Sequence, residues 1–363
     1  MRGPTRVTRE QVLRFRVAAQ QLDREGRHRD AAVLDVGVQD TGPDGARWAL
    51  EIRGARVPDD DLVLAWTLRG APHAYRRAEA AQVAAAVAPW SEADAAKRIF
   101  DAARQFKMAG IPVLDALDHI AGEMHDIAAK PIVKGEMSAA LTARLDDPYL
   151  RWCEPCQATH TYEQPFRLSA LQAGLELEPG TSPPVLHRIP RWRGAAKTVP
   201  DHLDPVRAVL RLFGPATPKM VSEYVDGTVR EVKARWPEDV VPVEVDGASL
   251  DVLAEDLDTL ADPPQADGVH LLGPFDLFLQ GRDRGLVVPD PGARKDLWRT
   301  IGRPGGVLVG PEVVGSWRPR SKGKKLQIAV NVWDGGAIPD GVAEQAERLA
   351  AFRGQAFAGF SEN

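Results

Sequence analysis

Apolar residues along this chain recur first at a helical spacing and then in alternation, and that switch repeats. From Thr8 to Gln21, Val12, Phe15 and Ala19 line one helical face, Thr8 is placed as N-cap, and Arg9, Arg14 and Arg16 fall mostly off the face. Ala31 to Val38 predicts a second short helix. Pro43-Asp44-Gly45 is a turn that starts a third helix, Ala46 to Arg53. The apolar run Leu62 to Leu68, a break at Arg69-Gly70 and His73-Ala74-Tyr75 then predict a β-hairpin. Three helices followed by a two-stranded hairpin is the layout of a winged helix, a variant of the helix-turn-helix.

Ala78 to Ala128 is alanine-rich and helical, with breaks at Pro89 and near Pro112. The pattern then recurs. Glu136 to Leu145 predicts a helix, Pro148 to Cys156 a connection, Tyr162 to Ala173 a recognition helix, and Leu175 to Ile189 a hairpin with a Gly/Pro turn. It returns a third time with helices at Asp204 to Phe213, Pro218 to Tyr224 and Thr228 to Arg235, and a strand at Val240 to Val245. The blocks share element order, not sequence, so they are not solenoid repeats. Past an Asp- and Pro-rich stretch the texture becomes β, in VHLLGPFDLFLQG, GVLVGPEVVGSWRP and KKLQIAVNVWDG. A final helix is expected from Gly341 to Arg353. The fold class expected is α+β: tandem winged-helix modules followed by a small C-terminal β-barrel. The boundaries are winged helices at 1–77, 134–200 and 201–254, a helical connector at 78–133, a linker at 255–267, and the barrel with its terminal helix at 268–363.

Composition adjusts this picture. At 363 residues and 44% hydrophobic the chain can bury a sizeable core spread over several modules. The net charge of −5 excludes a polybasic nucleic-acid binder, so any phosphate-binding surface is a local patch on an acidic body. The N-terminus carries no apolar signal core, and no run approaches about 18 apolar residues, so a cytoplasmic protein with no membrane contact is expected. Two cysteines in so long a chain point to a reducing compartment.

Those cysteines, Cys153 and Cys156, have the spacing of zinc ligands, with His160 as a third donor. A closed site needs four ligands, and only the distant His125 or His187 is left. The stretch therefore reads as two reduced thiols beside Trp152, and neither metal nor cofactor is expected. No phosphate-binding loop, dinucleotide fingerprint, zinc-protease or serine-hydrolase motif occurs.

Two basic stretches stand out. Arg318, Arg320, Lys322, Lys324 and Lys325 follow Trp317 without an intervening acid, on a hairpin tip suited to phosphates. Arg188, Arg191, Trp192, Arg193 and Lys197 follow the middle hairpin. Each stretch also fits a solvated surface. Asp276, in an apolar run, is either functional or paired, with Arg282 or Arg284 as partner.

Several segments together resemble a known family. They are the Val38-Gln39 turn, AWTLRGAPH (Ala65 to His73), LRLFGPAT (Leu210 to Thr217), GPFDLFLQGRDR (Gly273 to Arg284) and GVLVGPEVVGSW (Gly306 to Trp317). In this order they are similar to the AlkZ-type (YcaQ-like) winged-helix DNA glycosylases. The resemblance implies winged helices cupping double-stranded DNA and metal-free excision of alkylated or bulky N7-adducted purines by a monomer. It implies catalysis by a Gln-x-Gln or Gln-x-Asp pair, with Gln39 first. Without gaps the second position is Thr41, which fits neither pattern; with one residue deleted it is Asp40. Both also fit turn and cap chemistry. The resemblance places His73 near the DNA cleft and matches Asp276 to a family aspartate. Arg69 is a phosphate contact or a plain surface arginine. A non-catalytic DNA-binding regulator or lesion sensor is the alternative, since the second catalytic residue is missing.

Overall fold

The computed structural model describes residues 5–42 and 44–361, so Pro43 of the expected turn lies outside the described residues. Thr8 opens the first helix, Arg9–Ala19, with a capping box. Its hydroxyl accepts from the Gln11 N–H, and the Gln11 side chain accepts from the Thr8 N–H. Leu13 and Val17 are buried beside Val12 and Phe15. Arg16, expected off the buried face, is buried too and donates to the Phe213 carbonyl and the Asp283 carboxylate. A helix covered on most sides lacks the polar face that amphipathic spacing looks for.

The second expected helix is corrected. Ala32–Asp35 is a 3-10 turn, and Val38–Gln39 is a strand. Gly37 lies between them at φ +80°, and a Cβ there would sit 2.3 Å from the Tyr75 ring. The strand pairs with Pro72–Arg76, which pairs with Leu62–Trp66, so the expected hairpin is the core of a three-stranded sheet. The helix Gly45–Glu51 stands between the first two of these strands in sequence.

Helices at Ala80–Val87, Glu92–Arg98, Ala103–Ala109 and Val113–Ile127 fill the alanine-rich region. In the middle block, Lys134–Thr142 and Glu163–Gln172 are helical and Leu175–Leu177 pairs with Val185–Arg188. The expected connection between the two helices is instead a hairpin, Leu150–Cys153 with Ala158–Thr161. In the third block, Asp204, Thr217 and Thr228 cap the helices Pro205–Phe213, Pro218–Val225 and Val229–Ala234. Val240–Val245 pairs with Ala248–Leu253 on one side and in parallel with Thr5–Val7 on the other, so the start of the chain joins this block.

The expected closed barrel is an open five-stranded sheet. Its order is Val269–Leu272, Gly305–Val309, Glu312–Lys322, Lys325–Val332 and Ala356–Ser361. The two outer strands do not pair with each other among the described residues. The helix Val342–Phe352 packs on both of them and buries Val342, Ala346 and Leu349, where closure would need hydrogen bonds. The run after Asp276 is also not β. Leu277–Gln280 is a 3-10 turn with every residue buried, and Asp276 caps it by accepting from the Phe278 N–H at 3.0 Å.

Apolar clusters tie distant segments together. One joins Leu34 and Leu50 to Leu210 and Val221; a second joins Leu13 and Trp48 to Leu272, Phe278 and Leu349. The stretch 255–267 carries a short helix, Leu257–Ala261, that buries Leu260. No helix among the described residues is long and apolar enough to cross a membrane.

Candidate active site

Gln39 ends its strand directly opposite His73. Its side chain leaves the sheet into a cavity of about 450 Å³, within the range of small-molecule and base pockets. Thr41, Asp44, Phe275, Arg303, Arg318 and Arg320 are among the residues lining it. The Gln39 Nε2 donates to the Thr41 hydroxyl at 3.0 Å, and Gln280 Nε2 donates to the Gln39 Oε1 at 3.2 Å. The amide is thus held at both ends, and the Thr41 hydroxyl keeps a proton to donate. The turn read as part of a helix-turn-helix is the end of a strand, and that is what aims Gln39 at the cavity.

Asp40 faces the other way, as alternate residues of an extended chain do. Its Oδ1 accepts from the Ala46 N–H at 2.8 Å and caps the helix Gly45–Glu51. Gly45 makes this reach open: a Cβ there would lie 1.9 Å from Asp40 Oδ1. Of the two placements open in the sequence, the ungapped one puts a second side chain beside Gln39, and that side chain is Thr41. Asp40→Ala is expected to lower unfolding free energy by about 0.5–2 kcal/mol while leaving any activity at Gln39 intact. Denaturant melts beside a base-release assay check this, and loss of activity at unchanged stability would contradict it.

The cavity is not without carboxylates. Asp44 lines it and is ion-paired with Arg353 from the last helical turn of the chain. A turn aspartate before a helix carries no signal separating it from a cap, so nothing in the local pattern singles it out.

Asp276 also reaches the cavity wall, but its partner is Arg53, not Arg282 or Arg284. Arg53 Nη1 and Nη2 donate to the two carboxylate oxygens at 2.7 and 2.8 Å, and both side chains are 0% exposed. Arg53 also donates to the Gln20 and Ala49 carbonyls. Trp48 and Trp317 donate their indole N–H groups to the Leu271 and Leu272 carbonyls at 2.7 and 2.8 Å. These bonds fix the segment that carries Phe275 and Gln280 against the Gln39 turn.

Freed from Asp276, Arg282 and Arg284 join Arg69 and Arg303 in a basic cluster that the sequence reading missed. Arg303 stands over the Phe275 ring at 5.0 Å, Arg284 over Trp298 at 5.1 Å and Arg69 over Tyr224 at 5.0 Å. Burial, then the charges of Arg284, Arg282 and Arg69, push Arg303 down to about 10. Burial followed by Arg69 and Arg284 lowers Arg282 as well. Arg69 Nη2, Arg282 Nε and Arg303 Nε are buried without a hydrogen-bond partner among the described residues. The signal was the GRDR spacing after Gln280, which reads more simply as a source of partners for Asp276.

Other expected contacts lie elsewhere. His73 is 1% exposed, its Nδ1 2.9 Å from the Ala71 carbonyl and 3.0 Å from the Thr67 hydroxyl. Burial, with Arg69 second, pushes its pKa down to about 3, so it is a neutral packing residue with no face for a phosphate. Arg188, Arg191, Arg193 and Lys197 are exposed but outside the cavity, and Trp192 packs over Gly174, where a Cβ would lie 2.2 Å from the indole. Lys322, Lys324 and Lys325 form the exposed tip of the hairpin whose base, Arg318 and Arg320, lines the cavity.

Arginines without a carboxylate ion pair among the described residues, set beside a cavity that holds an oriented amide and a hydroxyl, suit a protein that works on a polyanion. The chain belongs to the AlkZ-like DNA glycosylase family, which matches residues 16–352. Its fold is similar to that of the Streptomyces sahachiroi DNA glycosylase AlkZ, with a TM-score of 0.74 and 20% identity over 99% of this chain and 100% of that one. No curated protein matches the sequence.

Proposed function

We propose that the protein hydrolyses the N-glycosidic bond of alkylated or bulky N7-adducted purines in double-stranded DNA, acting as a monomer with its winged-helix modules around the duplex. The observation that carries this reading is the Gln39 side chain, held by Thr41 and Gln280 inside the cavity. Alkylation at N7 leaves the base positively charged, so it departs with little acid catalysis. The work left is to position water and to stabilise the positive sugar. An amide and a hydroxyl do the first. For the second the wall offers the Asp44 carboxylate, its charge offset by Arg353, together with the dipoles of the Gln39 amide and the Thr41 hydroxyl. The Arg282 and Arg284 guanidinium groups, with Arg318 and Arg320, hold phosphates beside the cavity.

The test is incubation with N7-alkylated duplex, scored as alkali-labile abasic sites. Release by the wild type is expected, and none on any alkylated duplex overturns the reading. Tight salt-sensitive binding without release would instead favour a lesion sensor, a reading that draws on Thr41 standing where a carboxylate or second amide is expected. The phosphate role gives a separate prediction. Arg282→Ala and Arg284→Ala each reduce the slope of log K against log salt by about 0.9, read by fluorescence anisotropy; an unchanged slope removes them from the interface.

A further inference from the structure

The hairpin Leu150–Cys153 and Ala158–Thr161 stands apart from the cavity and is not used by the chemistry above. Among the described residues its two strands have no third neighbouring strand, and every residue from Glu154 to Thr159 is exposed. Trp152 is 57% exposed, its indole N–H donating to Glu154 at its own edge. The helix Lys134–Thr142 packs on the second strand, but the tip beyond it is uncovered, and a two-stranded ribbon by itself is marginal in water. Something other than apolar packing has to hold this tip.

The donor atoms of Cys153, Cys156 and His160 all lie within 4.8 Å of one another. A tetrahedral zinc with bonds of about 2.3 Å to sulfur and 2.0–2.1 Å to nitrogen spaces its ligands by roughly 3.7 Å, a small contraction from this arrangement. The turn is wound to bring the thiols to one side. The Cys156 N–H donates to the Cys153 carbonyl at 3.2 Å, and Gln157 takes φ +49° immediately after the second cysteine. His160 Nδ1 is 2.8 Å from the Thr161 carbonyl. An N–H there leaves the lone pair on Nε2, which is how ligand histidines are usually oriented. Counting to four protein ligands fails, because His125 sits on the Ala173 carbonyl and His187 beside Glu176. An exposed tip does not need a fourth, since solvent can take that position.

We infer that this hairpin binds one divalent ion of the zinc class through Cys153, Cys156 and His160, with solvent as the fourth ligand. Two thiolates neutralise the ion, so the site adds no net charge. The ion ties the hairpin down one residue before the helix Glu163–Gln172, which packs through Arg167 and the Gly70 carbonyl on the Arg69-Gly70 turn. Its role is structural and does not depend on the glycosylase reading.

The experiment is elemental analysis of protein purified without chelator, followed by titration of chelator-stripped, fully reduced protein with cobalt(II). About one zinc per chain is expected, with thiolate-to-cobalt charge-transfer bands and the strong visible absorption of a tetrahedral ion. Cys153→Ser/Cys156→Ser should abolish both. His160→Ala should weaken cobalt affinity by at least about tenfold. Circular dichroism checks that the variants fold, and the wild-type spectrum stands without them. Absence of cobalt bands in reduced wild type, equal bands in the double-serine variant, or unchanged affinity in His160→Ala would overturn the assignment. So would a Cys153–Cys156 disulfide in protein kept under reducing conditions throughout purification.

Discussion

Replacing Gln39 by alanine is expected to lower base release from N7-alkylated duplex by about 10²–10³-fold and to leave duplex affinity near its wild-type value. The loss falls on the chemical step because the Gln39 amide is positioned before substrate arrives, by Thr41 at one end and Gln280 at the other. A group already fixed in a partly closed cavity loses little freedom in the transition state, and removing it forfeits that preorganisation. The backbone pairing of Gln39 with His73 survives the change, so stability should hold. Single-turnover release and anisotropy with the same lesion-containing duplex separate the two effects. A fall in affinity that accounts for the whole loss would reassign Gln39 to binding. Gln280→Ala should follow in the same direction with a smaller loss, because it holds the amide and does not itself meet the water.

Asp276→Ala should destabilise the protein by about 3–5 kcal/mol. Removing the carboxylate leaves Arg53 charged and fully enclosed, with two guanidinium donors unpaired. It also removes the cap on Leu277–Gln280. The desolvated charge is the larger of these effects, since a helix cap is worth about 1 kcal/mol. Folded proteins hold only about 5–15 kcal/mol in total, so the variant should melt far below the wild type. Asp276→Asn keeps the shape and part of the hydrogen bonding and should be milder. Equal melting of Asp276→Ala and wild type, measured in denaturant, would mean that Arg53 finds water in solution. Because Arg53 follows the Gly45–Glu51 helix and Asp276 caps the Leu277–Gln280 turn, loosening the pair should also displace Gln280 from Gln39.

The repeated switch from helical to alternating spacing was legible from the residues alone, and so were most of the elements it predicts. Asp204, Thr217 and Thr228 mark helix starts by chemistry that acts within one turn, and Gly/Pro turns act over four residues. The basic hairpin after Trp317 was readable for the same reason, because charge order is local. What failed was local spacing under non-local cover. Arg16 looked exposed because the elements that bury it come from residues near 213 and 283. The barrel stays open because a helix, not a strand, packs on its two outer strands.

The sequence by itself determined that Gln39, Asp40 and Thr41 stand together as polar residues after an apolar run, and that Cys153, Cys156 and His160 have the spacing of zinc ligands; the structure put Gln39 at the end of a strand and took His125 and His187 away from the cysteines. The sequence could not decide between Asp40 and Thr41, because two neighbours on extended backbone face opposite ways and only the packed helix shows which way is in. The tertiary structure turned Asp40 to the Ala46 N–H, paired Asp276 with Arg53 and, among the described residues, left Arg282 and Arg284 without a carboxylate ion pair. Each of these outcomes rests on contacts between residues far apart in the chain or on opposite sides of one strand. No pattern of neighbouring residues encodes such contacts.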